Sequence, residues 1–511
     1  MPDLFEEFQN LINKLPKGSP GASIELLLMQ MEPSHASLFR LCAIPHQFKA
    51  DILQVLDPDM NAVQAEMRYK EFLGLSAIIV CQDGLVGLHG ETRRYLFAQW
   101  LTPPKALEFK AANKRLVEFF DQLIANAEGS ELETTRRRKM FHLIGSEPER
   151  GFAEFESLFR QSRRQFRLSE CESLIKLVQE YESVLAQDLA GRLAYHQGKL
   201  AADLRQWTSA EQLFNGVLDN TELPAELHVK ACNRLGIVYA EQRKWQKAVE
   251  FHKKALELEK TVEGCTLNPH HILHDLGVVY RESGNLRESE KLLKKSIESA
   301  QRDNDDEGMA VGYNSLGTLY RKLAEVRQAI EAYERSLEHL DRIKEEFRPA
   351  QVYNNLGAAY ADVRQWERSE LFFQKSLNIK REAGDTLGQA LTYNNLARVY
   401  QNLKLIEKAI NASQQAIGLF REMRAWYDAA VATRNLARLY RNMQNLYSSQ
   451  EVFQEAVNLF EQCNESEKAE ETRKELMALS RKVCLPWWIW LAIISFILLI
   501  CFIIGLAIYV D

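Results

Sequence analysis

The sequence predicts a mainly α-helical chain in three parts: a front module of helices with one hairpin, a long array of helix pairs, and one apolar helix at the C-terminal end. Three observations carry this prediction. A short pattern ending in an aromatic residue occurs six times, first after 41 residues and then four times after 40. Residues 485–510, "LPWWIWLAIISFILLICFIIGLAIYV", are 26 in a row without a charge. Between them and the start, "SAIIVCQDGLVGLHGETRRYLFAQWL" places two short β-forming runs around Asp83-Gly84 and then a helix.

The bulk composition narrows the class. The chain has 511 residues, is 46% hydrophobic and 26% charged, and carries a net charge of -6, which describes a globular protein with no general affinity for nucleic acid. Eight cysteines lie scattered without a CxxC pair, as expected of reduced thiols, and the acidic start "MPDLFEEFQN" has no signal-peptide pattern. The sequons at Asn411 and Asn464 then carry no meaning.

From the front, Leu4, Phe5, Phe8, Leu11, Ile12 and Leu15 recur at helical spacing before the breaker "PKGSPG", so residues 1–22 read as a helix and linker. Residues 23–125 read as three helices, a hairpin and further helix, a winged helix-turn-helix pattern. Residues 34–101 hold six Lys or Arg against seven Asp or Glu, so duplex binding has no electrostatic footprint here. "RRRK" at Arg136, with Arg160, Arg163, Arg164 and Arg167, is more basic and reads first as a solvated helix face, with an acidic partner or anionic lipid as the alternative. Residues 126–190 read as a helical connector or degenerate repeat.

The array follows over residues 191–463. "RLGIVY", "DLGVVY", "SLGTLY", "NLGAAY", "NLARVY" and "NLARLY" place Gly236, Gly277, Gly317, Gly357, Ala397 and Ala437 in register. Twelve residues later stand Ala248, Ser289, Ala329, Ser369, Ala409 and Ser449; seven further on, Ala255, Ser296, Ser336, Ser376, Ala416 and Ala456. A fixed period with small residues at facing positions is a solenoid signature, in which paired helices approach closely and stack. The helix cost of Gly357, about 1 kcal/mol, is then offset by packing around Leu356, Tyr360 and Phe373. An earlier unit fits with Gly198, Trp207, Ala210 and Phe214. "ESEKAEETRKELMALSRK" keeps the register with Leu476 and Met477, so residues 464–484 read as a capping helix.

These motifs resemble the tetratricopeptide repeat, and the 40-residue period with longer helices is similar to that of kinesin light chains. On the first helix of each pair, the face away from the small residue carries His274, Asn314, Asn354 and Asn394; Asn355, Asn395 and Asn435; Arg398 and Arg438; and Arg281, Arg321 and Arg441. A solvated face would favour Glu, Lys and Gln, whereas asparagine offers a peptide backbone both donor and acceptor. The resemblance implies that this face lines a concave groove, and the "NNLA" match carries a peptide-contacting role onto Asn354, Asn355, Asn394 and Asn395. The competing expectation is that these amides bond neighbouring repeats. The dicarboxylate clamp of chaperone-binding relatives is incomplete, so a terminal carboxylate ligand is not expected.

"ASLFRLCAIPHQFKADILQVL", "LHGETRRYLF" and "FHLIGSEPERGFAEF" resemble the winged-helix and following helices of signal-transduction NTPases of the NB-ARC type, over residues 23–185. Two departures separate them. His89 keeps the place of that family's nucleotide-contacting histidine, but Gly90 replaces the adjoining acid, so a structural role is expected for His89. The sequence contains no GxxxxGK[ST], hence no phosphate cradle. HExxH, GxSxG and a Gly-rich dinucleotide turn are also missing, so neither catalysis nor a cofactor is expected. His270 and His274 have an i, i+4 metal-compatible spacing without an evident third ligand, so no metal is expected either.

The apolar run 485–510 spans about 39 Å as a helix, enough for a bilayer, with Trp487, Trp488, Trp490 and Tyr509 at its ends. Arg481 and Lys482 before it place the bulk of the chain on the cytosolic side. The sequence therefore predicts a membrane-tethered, cytosol-facing adaptor that binds a peptide or protein segment. The first alternative is a sensor or effector subunit working with a separate nucleotide-binding partner; the second is a membrane-bound transcription regulator.

Overall fold

In the computed structural model, the structure describes residues 20–165, 167–262, 267–344 and 349–483, together with Ser495. The helix expected over residues 1–15 lies outside these residues, as does the apolar run 485–510 apart from Ser495. Among the described residues no helix is long and apolar enough to cross a membrane. The chain divides into two compact units, residues 1–267 and 268–511.

The first unit opens with α1 (Pro20–Met29), α2 (Pro33–Leu41), α3 (Ala50–Leu56) and α4 (Ala62–Leu73). Asn61 and Gln64 form a reciprocal capping box that starts α4, with bonds of 3.0 and 2.9 Å. Strands β1 (Ile78–Val80) and β2 (Val86–Leu88) pair antiparallel with Ile78 opposite Leu88, turning through Asp83 and Gly84, both at positive φ. Phe48 bridges Val86, so the segment before α3 adds a third partner to the hairpin. Phe39, Phe48, Leu53 and Val86 are fully buried beneath it, with Phe39 edge-on to Phe72 at 5.3 Å.

Next come α5 (Gly90–Trp100), α6 (Ala106–Ile124), α7 (Gly129–Ser146), α8 (Pro148–Arg164) and α9 (Leu168–Gln179). Phe97, Phe109, Phe141 and Tyr181 form one aromatic cluster with ring centroids 4.9–6.2 Å apart. Buried Arg93 covers Phe97 and Phe141 and donates to Glu180 at 2.7 Å, while His46 meets the same carboxylate at 2.8 Å. One hydrophobic core runs from Ile24 to Leu200, and the boundary expected at 125 falls inside it. Two helix pairs complete the unit: α10 (Gln187–Asp203) with α11 (Trp207–Asp219), and α12 (Ala225–Glu241) with α13 (Trp245–Glu259). Gly198 lies under Phe214, and Gly236 under the buried His252, as the small-residue register requires.

Among the described residues, the second unit shows five helix pairs and one further helix. They are α14 (Pro269–Glu282) and α15 (Leu286–Arg302), α16 (Asp306–Lys322) and α17 (Val326–Arg342), α18 (Pro349–Asp362) and α19 (Trp366–Glu382), α20 (Thr386–Asn402) and α21 (Ile406–Glu422), and α22 (Trp426–Asn442) and α23 (Leu446–Gln462); α24 (Ser466–Val483) follows. A Cβ on Gly357 would lie 2.9 Å from the Phe373 ring, so this backbone needs glycine to admit the aromatic. The buried serines do more than stay small. Ser296, Ser336 and Ser376 donate to the carbonyls of His270, Ala310 and Ala350 at 2.7, 2.7 and 2.6 Å, and Ser369 donates to Gly357 at 2.7 Å. Each stitches the two helices of a pair where alanine would leave a buried carbonyl without this extra bond.

The turns are regular at half the repeat. A residue with positive φ ends each of the ten paired helices of this unit at intervals of 20, from Gly284 through Asn304, Ala324, Lys344, Arg364, Gly384, Lys404, Arg424 and Gln444 to Asn464. After each first helix the next amide but one returns to a tyrosine carbonyl, as from Glu325 to Tyr320 and Gln365 to Tyr360, both at 2.9 Å, a Schellman closure. The capping helix departs from expectation in one place. Leu476 packs partly against Ala437 and Phe453, but Met477, in the small-residue register, is 54% exposed, and Leu479 takes the buried position. No described helix follows to cover Met477.

Candidate peptide-binding face

The predicted face lies entirely on α14, α16, α18, α20 and α22, where the 40-residue period puts equivalent side chains at equivalent helical positions. The structure divides it into two halves with different chemistry. In the first half the polar groups bond across adjacent repeats. His274 Nε2 lies 2.7 Å from Ser315 Oγ, and Asn355 Nδ2 donates to Asn314 Oδ1 at 2.9 Å. Each pair joins the residue three before the small residue of one repeat to the residue two before it in the next, so the bond between repeats that was the competing expectation is present for Asn314 and Asn355. Asn354 Oδ1 accepts a longer bond, 3.4 Å, from Thr392 Oγ1. Arg281 bonds Glu282 at 2.8 Å and the Ser315 carbonyl at 3.3 Å, and Arg321 reaches Asp362 in the next repeat at 2.5 Å.

The second half is open. Asn394 and Asn395 are half-buried, Asn435 and Arg398 are exposed, and none makes a side-chain hydrogen bond or ion pair among the described residues. Beyond them Arg438 and Arg441 converge on Glu475 of α24, at 3.0 Å in each case to Oε2. Burial works to raise the Glu475 carboxyl, but Arg438 and Arg441 outweigh it and hold it below the ordinary value. Arg438 is therefore paired with the capping helix.

Sequence reasoning missed the apolar part of this face. Leu391 precedes Asn394 and Asn395 by three and four residues, and Leu387 stands one turn earlier; both are exposed, at 44% and 43%. The equivalent places on α22 hold Val431 and Tyr427, the latter also exposed. Extending the helical wheel one turn toward the N-terminus would have found them. Leu387 and Leu391 lie one turn apart on the same helix, so together with Tyr427 they give this face a contiguous apolar part beside its amides.

Other predicted features resolve as follows. His89 is exposed at the N-terminus of α5 and makes no capping bond with its side chain. In "RRRK", Arg136 pairs with Glu154 at 2.7 Å, Arg137 with Glu170 at 3.4 Å and Lys139 with Asp121 at 2.5 Å, while Arg138 bonds Gln47 at 2.9 Å; the run is absorbed in internal contacts and is not a free basic surface. His270 and His274 do not converge. His270 is buried between Asp303 at 3.2 Å and Asp305 at 2.8 Å, and His271 and Asp305, not His274, bring ligand atoms within 4.8 Å of it and of each other. The i, i+4 spacing could not reveal that set, because Asp305 is the N-cap of the following repeat.

With the geometry in place, comparisons with known proteins locate the array. The tetratricopeptide repeat family matches residues 269–342 and 348–422, and a second tetratricopeptide repeat family matches 231–266. These residues are tetratricopeptide repeats. Solved structures similar to the chain include the signal transduction ATPase with numerous domains (STAND) protein with a tetratricopeptide repeat sensor from Pyrococcus horikoshii, 17% identical, covering 95% of this chain and 67% of that one, with a TM-score of 0.56. Others are a Rap protein complexed with competence and sporulation factor, 16% identical over 66% of this chain and 99% of that one (TM-score 0.44), and a kinesin light chain with nearly identical repeats from Podospora anserina, 17% identical over 39% and 97% (TM-score 0.33). The first likeness is one of fold. No curated protein sequence matches the chain. Tetratricopeptide repeats point to a protein–protein interaction scaffold.

Proposed function

We propose that the chain is an interaction scaffold whose ligand is an extended peptide segment held on α20 and α22. The observation that carries this reading is the open half of the face: Asn394, Asn395, Asn435 and Arg398, without side-chain partners among the described residues, beside exposed Leu387 and Leu391. An amide supplies one donor pair and one acceptor to a peptide backbone, and the leucines supply apolar contact for alternate side chains. Arg398 adds a cation, so an acidic side chain near the ligand's end on this helix suits the site. In this reading Asn314 and Asn355 hold the array together and Arg281, Arg321 and Arg438 brace neighbouring repeats, so the peptide-contacting set is narrower than the twelve residues the sequence placed on this face.

Two further parts of the reading rest on sequence. The uncharged run 485–510 supports tethering to a membrane with the repeats on the cytosolic side. The order helix, bridge, helix, helix and hairpin at the front supports a winged-helix module, and the fold likeness to a STAND protein favours, as a second function, work alongside a separate nucleotide-binding partner, since this sequence has no phosphate loop. The test of the first function is affinity purification of the full chain from membranes, comparing wild type with Leu391→Asp. The reading expects the variant to lose a protein that wild type retains. Retention of the same proteins by both would remove α20 as the binding face.

A further inference from the structure

Away from the repeats' open face, the first unit holds a cavity of about 240 Å³ between α8, α10 and α12. Its wall is unusually cationic. Arg163, Lys199, Arg205 and Arg234 line it against Asp203 and Glu241 alone, leaving two positive charges in excess when Lys199 is protonated. Arg163 is already satisfied by Asp203, to which it donates from Nε at 2.5 Å and from the guanidinium tip at 2.8 Å. Lys199 is not. Its ammonium lies 5.6 and 5.8 Å from the Tyr195 and Phe159 rings and makes no hydrogen bond or ion pair among the described residues. An amine withdrawn from water keeps its proton only beside a counter-charge, and two aromatic faces supply only part of one.

We propose that this pocket binds a small phosphate monoester, with Lys199 as its central cation. The charge favours a dianion: a phosphate monoester carries about -1.5 to -2 at neutral pH, enough to offset both excess charges once Lys199 takes up a proton, whereas one carboxylate offsets only the charge already present with Lys199 neutral. The size selects a small molecule, since 240 Å³ falls below the roughly 300–1,000 Å³ of drug-sized pockets. Trp207, Ile237 and Val238 form an apolar wall for the organic group, and the guanidinium forks beside it match phosphate oxygens. Sequence reading singled out Arg160 and Arg163 as basic but placed them on a solvated face; the fold turns Arg163 onto Lys199 from a different helix.

The proposal has a proton signature. Burial, then Arg234, Arg163 and Arg160, push the Lys199 ammonium down to about 6, with Asp203 acting in the opposite direction. At pH 7.5 the empty pocket therefore holds mostly the neutral amine, and a bound dianion restores the ammonium by taking up a proton. Titration calorimetry of the full chain with phenyl phosphate, in two buffers of different ionisation enthalpy, reads both binding and uptake. The expected result is saturable binding with close to one proton taken up at pH 7.5, tenfold or more weaker in Lys199→Met and in Arg234→Gln, with acetate at the same concentration giving no saturation. Inorganic phosphate is expected to bind more weakly than phenyl phosphate, because it leaves the apolar wall unfilled. Binding without proton uptake, undiminished binding by Lys199→Met, or saturation by acetate would overturn the assignment. A phosphoserine peptide that bound while phenyl phosphate did not would overturn the small-molecule reading.

Discussion

Replacing asparagine by alanine separates the two halves of the candidate face by sign. Alanine is the better helix former by about 0.6 kcal/mol per interior position. At Asn355 this gain opposes the loss of the 2.9 Å bond to Asn314, worth about 1 kcal/mol, in a half-buried setting. Asn355→Ala should therefore destabilise by about 0.5 kcal/mol. Asn394 and Asn395 have no side-chain bond to lose among the described residues, so the double change Asn394→Ala/Asn395→Ala should stabilise by about 1 kcal/mol. The two variants should thus lie on opposite sides of wild type, about 1.5 kcal/mol apart, in urea unfolding followed by far-ultraviolet circular dichroism. A double-mutant cycle between Asn314 and Asn355 should return a coupling near 1 kcal/mol. A lowered urea midpoint for the Asn394/Asn395 variant would show that those amides serve the fold, and the reasoning that assigns them to a ligand would fail.

Three further outcomes follow from the packing and the charges. Gly357→Ala gains about 1 kcal/mol of helix propensity but sets a methyl 2.9 Å from the Phe373 ring, an overpacking cost of about 1–3 kcal/mol, so its thermal midpoint should fall. Gly284 has φ +93 and open space around it, so Gly284→Ala should cost about 1 kcal/mol through backbone strain alone, while Ala324→Gly at an equivalent turn should be neutral or stabilising. Glu156 is held at about 2: burial would raise it, but His196 and Arg192 prevail. Its folded value is depressed, so its contribution is complete above about 4.5 and is lost as pH falls toward 2; Glu156→Gln should flatten the acid limb of a stability-against-pH curve in that window.

What could be read from the sequence was what repeats. Small residues at a fixed period disclosed the helix pairs and their facing positions, because close approach admits few side chains there. The turns were hidden, since only Gly284 and Gly384 announce a left-handed residue and the others use Asn, Ala, Lys, Arg and Gln in the same conformation. The face was located, but its division was not. Whether an asparagine bonds its neighbour depends on the offset between successive helices, which no single helical wheel contains. Contacts between distant segments were equally out of reach: Arg93 with Glu180, the "RRRK" run with four partners, and Lys199 with Arg163 and Arg234 join residues far apart in the chain. Met477 failed where the register was carried past the last helix pair, for Leu479, two residues on, takes the buried place.

The central claim, that a peptide segment lies along the open half of the face, is tested most directly by site-specific photo-crosslinking. A photoreactive side chain at position 391 or 398, compared with one at position 281 or 321, samples the open and braced halves of the same array. The account predicts a crosslinked protein partner from positions 391 and 398 and none from 281 and 321. Crosslinks confined to 281 and 321, with none from α20, would contradict it.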